Sequence, residues 1–355
     1  MDVRLSAEQR ALRDSAAQIA ARLGPRTVAE LDAPKRSGAS GSTRTAKLAA
    51  AVAASGFCEL RVPERGDTPL ASGVEVAIVA EEFGRGLVDA PFLGPTLAAE
   101  LRRLAGAPAA TAAETVLLAA SLSGPAVTVH GSAPAGAVAI DAEGAATALA
   151  LVPTATNHRL ASVALVPVVP PTDLTRPTAL PDAAAAVAFV EGAGIELTPE
   201  NLERWTAFGL AVTCADLVGT MRGLVDLTVE YATARRQYGR SIGSFQAIQH
   251  LLADAFVLME GSRSAATHAA WAVDALSATD ALGAAAAAKA YCVRAARAVG
   301  ETAIQVHGGI GNTWECLVHA HVRRALLSSD VLGGTGVNLE RVLAHRGIGV
   351  PHGLQ

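Results

Sequence analysis

"RRQYGRSIGSFQAIQH", residues 235 to 250, joins two of the longest periodic runs in the chain. The run before it, "GLAVTCADLVGTMRGLVDLTVEYATA", places Leu210, Cys214, Leu217, Met221, Leu224 and Val225 on one side at helical spacing. The run after it, "LLADAFVLMEGSRSAATHAAWAVDAL", keeps the same period. Two further stretches mark the C-terminal half: "QVHGGIGNTWE", residues 305 to 315, and "LGGTGVNLERV", residues 332 to 342. Helices that long, joined by so few residues, predict a C-terminal bundle of about four helices.

Working outward, the N-terminal part also reads as helical. In "LSAEQRALRDSAAQIAARLG" Ser6 and Gln9 form a capping box, and Gly24-Pro25 stops the run. "TAKLAAAVAASGF", "GVEVAIVAEEFGRGL" and "LAAELRRLAG" are three more amphipathic segments. Near residue 123 the pattern changes. "AVTVHGS", "AGAVAIDAEG", "TALALVP" and "LASVALVPVVPP" are short Val/Ala/Leu runs parted by Gly and Pro, the mark of strands. The expected organisation is an N-terminal helical domain (1–122), a short β domain (123–196) and a C-terminal helical bundle (197–355). The fold class is therefore mostly α with a small β middle domain.

Composition excludes several functions. The 355 residues carry a net charge of −4 and only 17% charged side chains, so no clustered basic face points to nucleic acid or to an anionic membrane. Cys58, Cys214, Cys292 and Cys316 are widely spaced and form no C-x-x-C pair, which disfavours a disulfide framework or a zinc site. His319 and His321 are two residues apart on an expected helix and point away from each other, so no metal site is expected there or at His307. No uninterrupted apolar run reaches the ~20 residues of a membrane span. The chain reads as a cytoplasmic protein.

Taken together, the marked stretches resemble the acyl-CoA dehydrogenase family. The family pattern R-x-x-F-G-x-x-I-x-x-F-Q-x-x-Q/H stands here as Arg235, Tyr238, Gly239, Ile242, Phe245, Gln246 and Gln249, with Tyr in place of Phe. Its Q-x-x-G-G-x-G pattern stands as Gln305, Gly308, Gly309 and Gly311. The resemblance follows the domain order and covers nearly the whole chain. It implies that Arg235, Gln237, Phe245, Gln246, Gln305, Gly308 and Gly309 contact the FAD of a neighbouring subunit. A planar guanidinium suits the pyrophosphate, and two glycines let backbone approach the ADP moiety. Thr335 matches the family Thr that touches FAD, although the Ser-Gln that follows it there is Gly336-Val337 here.

The resemblance also implies a reaction, α,β-dehydrogenation of an acyl-CoA, for which a carboxylate must remove the α proton. Its usual place, one residue before Gly-Thr, is Gly333. The other place used in the family, on the long helix before the Arg motif, falls near Gly209. Glu200, Glu203 and Asp216 are the acids nearest that position, and Asp330 and Glu340 flank the first. The β segment is also short, lacks a T-E-P run, and no Trp precedes Trp205, so the wall on the flavin ring is reduced.

Such a chain is similar to the base-lacking subunits of heteromeric acyl-CoA dehydrogenases of actinobacterial steroid side-chain catabolism. The expected partner is a second family chain carrying the catalytic Glu, in a heterotetramer that binds FAD and an acyl-CoA. Gly333 would then leave room for a bulky acyl group. Two other readings stay open: a flavin monooxygenase on the same fold, which needs no base, and a scaffold without cofactor.

Overall fold

The computed structural model describes residues 4–32, 43–66, 68–128, 131–168 and 172–349. Parts of two expected strands, 129–130 and 169–171, lie outside the described residues. Five helices open the chain: α1 (Ala7–Leu23), α2 (Val28–Asp32), α3 (Thr43–Ser55), α4 (Gly73–Arg85) and α5 (Leu93–Leu104). Helix α1 begins at the Ser6/Gln9 capping box read from the sequence, and Ser72 with Glu75 builds the same device at α4. A ribbon of β1 (Pro63–Arg65) and β2 (Thr68–Pro69) lies between α3 and α4.

The β unit comprises β3 (Glu114–Leu118), β4 (Val138–Ala139), β5 (Thr147–Pro153), β6 (His158–Pro167), β7 (Ala179–Pro181) and β8 (Ala188–Phe189). Its order is β5-β3-β4-β7-β6-β8, and β5 also pairs with β6, so the ladder closes into a small circuit. The β3–β5 pair is parallel and the others are antiparallel. Alternation divides the strands between two cores. Leu117, Ala148, Ala150 and Val163 fill the inside of the circuit, while Val116, Leu118, Leu149 and Leu151 join the main helical core. Strand β3 precedes residue 123. The described part of the expected strand "AVTVHGS" makes an isolated bridge through Val127 to Leu151, and Pro125 just ahead of it bridges to Leu118.

The C-terminal part holds α6 (Pro199–Ala234), the ribbon β9 (Arg236–Gln237) and β10 (Arg240–Ser241), then α7 (Gln246–Ala275), α8 (Ala278–His307), α9 (Val318–Asp330) and α10 (Thr335–His345). Thr198 caps α6 from its side chain and Pro199 sits in its first turn, where the missing N–H costs nothing. Helix α6 is apolar on almost every side because α4, α7, α8 and α9 surround it, and 94% of its most apolar 18-residue window is buried. The mostly helical fold with a small strand region is the one expected from the sequence.

Buried charges tie the parts together. Asp216 on α6 accepts from Arg324 Nη2 of α9 at 2.6 Å and from the Ser328 hydroxyl, with Arg176 at 3.3 Å. Arg176 in turn bonds Asp173 at 2.9 Å and the Arg324 carbonyl at 3.0 Å, which fastens the β unit to α9. Burial works to raise the Asp216 carboxyl, but Arg176 and Arg324 hold it below the usual carboxylate range. At the other end, Arg61 joins Glu100 of α5 at 2.9 Å and Asp274 of α7 at 3.3 Å.

Removing Asp216 leaves the buried Arg324 guanidinium without a carboxylate and Arg176 with Asp173 alone, so Asp216→Ala is expected to cost about 3–5 kcal/mol of stability in chemical denaturation. A second outcome concerns acid. Burial, then Arg324, pushes His321 from 6.5 down to about 3, so the native state stays neutral while the unfolded chain takes up a proton below pH 6.5. Stability should therefore fall as pH drops from 6.5 towards 4.5, at a slope approaching ~1.4 kcal/mol per pH unit for this group. Burial lowers His307 and His319 as well, with the same sign. Melting curves of His321→Asn over that window should be visibly flatter than those of the parent.

Candidate functional site

Helix α6 stops at Arg235, whose extended backbone turns the chain into the β9–β10 ribbon. Tyr238 (φ 52°) and Gly239 (φ 76°) form its two-residue turn, both in the left-handed region that tight hairpins require. Phe245 then caps α7, with the Arg240 guanidinium 4.2 Å above its ring and Tyr238 edge-on at 6.4 Å. Gln249 is exposed, and its amide donates to the Gly243 carbonyl at 3.0 Å and braces the turn. Arg235, Gln237 and Gln246 are exposed, and no acidic partner pairs with Arg235 among the described residues.

The second motif ends α8. Gln305 is exposed. His307 stacks on Tyr231 with ring centres 4.3 Å apart, and its Nδ1 lies 2.8 Å from the Ala303 carbonyl. Tyr231 is one helical turn before Arg235, so this stack brings the two motifs to the same end of the bundle. Gly308 has φ 65° and ψ −146°, a conformation for glycine, and a Cβ at Gly308 or Gly309 would meet nothing within 4 Å. The result is an open ledge with a free guanidinium, amides and bare backbone. Those groups suit a pyrophosphate and an ADP moiety. No tryptophan lies in the β unit: Trp205, Trp271 and Trp314 are all outside it.

The third motif is elsewhere and is closed. Lys289 of α8, fully buried, donates to the carbonyls of Ser328 and Val331 (2.9 Å for Val331) and to the Thr213 hydroxyl at 3.2 Å. Burial pushes this lysine down from 10.5 to about 8. Beyond it, Leu332 (φ 62°) and Gly333 (φ 92°) both take left-handed backbone. The Leu332 N–H donates to the Leu122 carbonyl at 2.7 Å, and Asn338 donates to the Gly333 carbonyl at 2.7 Å. Arg341 donates to the Leu332 carbonyl at 2.6 Å and to the Ser123 carbonyl at 2.8 Å.

This clamp seats Leu332 against Gly209. A Cβ at Gly209 would overlap Leu332 Cδ1, and one at Gly333 would come within 2.8 Å of Val337 Cγ1. Both family positions for a base are thus glycines inside one packed contact. Gly333 does not leave room for a bulky acyl group, contrary to expectation, because Val337 closes over it. Thr335, half-buried at the start of α10, belongs to this region. The 18 residues from Lys289 to His307 put it roughly 27 Å along α8 from the glycine ledge at 1.5 Å per residue. The structure gathers Arg235, Gln237, Phe245, Gln246, Gln305, Gly308 and Gly309, and leaves Thr335 apart.

The acids nearest these positions have other partners or face solvent. Asp216 is consumed by its arginines, Glu200 pairs with Arg204 at 3.0 Å, and Glu203 accepts from the Thr279 hydroxyl at 2.9 Å. Asp330 and Glu340 are exposed. Sequence reasoning missed the clamp of Lys289, Asn338 and Arg341. Its one signal was a lone Lys in the run "GAAAAAKAYC", where a charge has no reason to be unless it has partners.

Comparisons with known proteins place the chain in a family. The model of the acyl-CoA dehydrogenase C-terminal domain matches residues 201–346. Acyl-CoA dehydrogenase IpdE2 of Mycolicibacterium smegmatis is 31% identical over 291 residues, 81% of this chain and 84% of that protein. Acyl-CoA dehydrogenase FadE34 of Mycobacterium tuberculosis is 40% identical over 156 residues, 44% of this chain, but the match takes in only 22% of that longer protein. Among solved structures, the ChsE4-ChsE5 complex from Mycobacterium tuberculosis superposes with a TM-score of 0.77 at 21% identity, covering 99% of this chain and 100% of that one. With a relative of this identity over most of both lengths and the same fold, the chain belongs to the acyl-CoA dehydrogenase family.

Proposed function

We propose that this chain is the base-lacking subunit of a heteromeric acyl-CoA dehydrogenase, and that it completes an FAD site whose ring pocket and catalytic carboxylate belong to a second family chain. One observation carries the reading. The two positions available to a base are closed, Gly209 by Leu332 and Gly333 by Val337, while among the described residues Arg235, Gln305 and the Gly308–Gly309 ledge are open and unpaired at the far end of the bundle. A chain that did its own chemistry needs the reverse arrangement. In such an assembly the flavin is the hydride acceptor for the acyl thioester.

This chain's residues then have defined tasks. Arg235 neutralises pyrophosphate charge with a planar donor fork, as no carboxylate of its own chain competes for it. Gly308 and Gly309 admit the ADP moiety against bare backbone. Phe245, held by Arg240, lies along the cofactor with Gln246 and Gln237. Thr335 is left to a site in which this chain takes no chemical part. The partner is a family member with an intact base, in a heterotetramer, a reading in keeping with the two-chain ChsE4-ChsE5 complex. The acyl group is that of the partner's pocket, and the sequence resemblance to steroid side-chain enzymes favours a bulky one. A homomeric flavin monooxygenase has no support in the closed Leu332 contact.

Two outcomes test this. Purified alone, the chain should be colourless; co-expressed with the partner family chain it should form a stoichiometric yellow complex that oxidises an acyl-CoA. Arg235→Ala in that complex should lower FAD affinity by at least about tenfold, for loss of one charge-assisted contact of ~1.5–3 kcal/mol. A yellow, active homomer of this chain sinks the proposal. Gly333→Glu, in contrast, should not create activity in the isolated chain. It should cost ~1–3 kcal/mol in urea melts, because residue 333 sits at positive φ and its Cβ meets Val337.

A further inference from the structure

A cavity of about 800 Å³ opens where α3, α5, the 56–63 turn, the 107–114 segment and the 141–145 loop meet, between the N-terminal helices and the β unit. It lies on the opposite side of α5 from the closed base positions. At 100° per residue, Pro95, Ala99 and Arg102 share the face that lines it, whereas Leu97 faces Gly209 and Leu332 about half a turn away. The cavity shares no lining residue with the glycine ledge or with the Leu332 contact.

Its wall differs from the core beside it. Ten of the 23 lining residues are alanine, and Val52 and Val62 are the largest apolar side chains among them. The adjoining core is filled by Phe57, Phe83, Phe92, Leu97 and Leu101. A junction between helices and strands normally closes with such side chains, because protein interiors pack as densely as organic crystals. Here five separate segments all withhold them, and the space left is within the ~300–1,000 Å³ range of pockets that hold small molecules. Ala109, Ala110, Ala112 and Ala113 are exposed in a stretch without regular structure, which makes that wall the entrance.

The lining also sets the class of ligand. The Cys58 thiol already donates to the Pro91 carbonyl at 3.4 Å, and Arg102 donates to the Glu114 carboxylate and to the Pro108 carbonyl, each at 2.9 Å. Arg102 is the one base in a lining that holds four acidic residues, Glu59, Glu114, Asp141 and Glu143, so an anion meets a surplus of acids. A charge of either sign carried in among the alanines would lose its water. We propose that this cavity binds a neutral, apolar small molecule, held by burial and shape between the N-terminal helices and the β unit.

A matched pair of fluorescent probes tests it: N-phenyl-1-naphthylamine and 8-anilino-1-naphthalenesulfonate, which share one body and differ by a sulfonate. Titrated into the full chain, the neutral probe should saturate a single site and bind at least about tenfold tighter than the anion. Ala99→Trp from α5 and Ala53→Trp from α3 each put an indole into the wall, and each should weaken the neutral probe at least about tenfold. Ala54→Trp, one residue along α3 and outside the lining, should leave it unchanged. The proposal is overturned if the neutral probe does not saturate or if the two probes bind equally. It is also overturned if a folded filling variant binds the neutral probe as the wild type does, or if Ala54→Trp weakens it as much. Ala53 is exposed, so Ala53→Trp keeps the test open should Ala99→Trp fail to fold.

Discussion

Leu332 reaches the backbone of α6 only because residue 209 has no side chain. That contact needs three things at once. The chain must enter it through left-handed backbone at Leu332 and Gly333. The carbonyls left over by that turn must find donors, which Asn338 and Arg341 supply. The end of α9 must be held in place, which Lys289 does from inside the bundle. Each part is costly alone: positive φ on a leucine, a buried lysine and a half-buried arginine. Together they satisfy one another, and the product is a packed contact where related chains keep a reactive carboxylate.

The buried ion network around Asp216 serves the same end from another direction. Arg324 on α9 and Arg176 beyond β6 meet on one carboxylate of α6, so the β unit, α9 and the core helix share a single charge-paired point. Apolar packing would hold these elements as firmly, and a buried ion pair gives no large net gain in stability. What it adds is a fixed register between α6 and α9, and that register sets where the loop after α9 lands. The position of Leu332 over Gly209 therefore depends on an aspartate about two turns further along α6.

Much of the fold was legible because long amphipathic periods leave few alternatives. The helices α6, α7 and α8 and the cap at Ser6 follow from spacing and chemistry that act within a few residues. The β unit was harder. Strand β3 is a buried run, "ETVLL", whose two faces serve two cores, so it lacks the polar alternation that marks a half-exposed strand. "AVTVHGS" has strand composition, but its described residues join the sheet through an isolated bridge. At the site, motif spacing picked out residues that lie at one exposed end of the bundle, but nothing local to Gly333 tells whether its missing side chain leaves a void or a filled contact. Val337 and Leu332 decide that, and their direction is a tertiary fact.

The distance along α8 turns these local facts into a statement about assembly. The ledge at Gly308 and the closed loop at Thr335 are held roughly 27 Å apart by a continuous helix, which cannot bend to bring them together. No single copy of this chain can apply both to one cofactor. On the proposed reading, a dinucleotide that used the ledge would extend into another subunit, and whatever faced the loop would come from another subunit too. A symmetric homomer would then set each cofactor against the closed Leu332 contact and a β unit without a tryptophan. The proposed unlike partner would supply the ring wall and the carboxylate. Once the partner does so, this chain is under no physical demand to keep either, and its loop is free to become a packing contact.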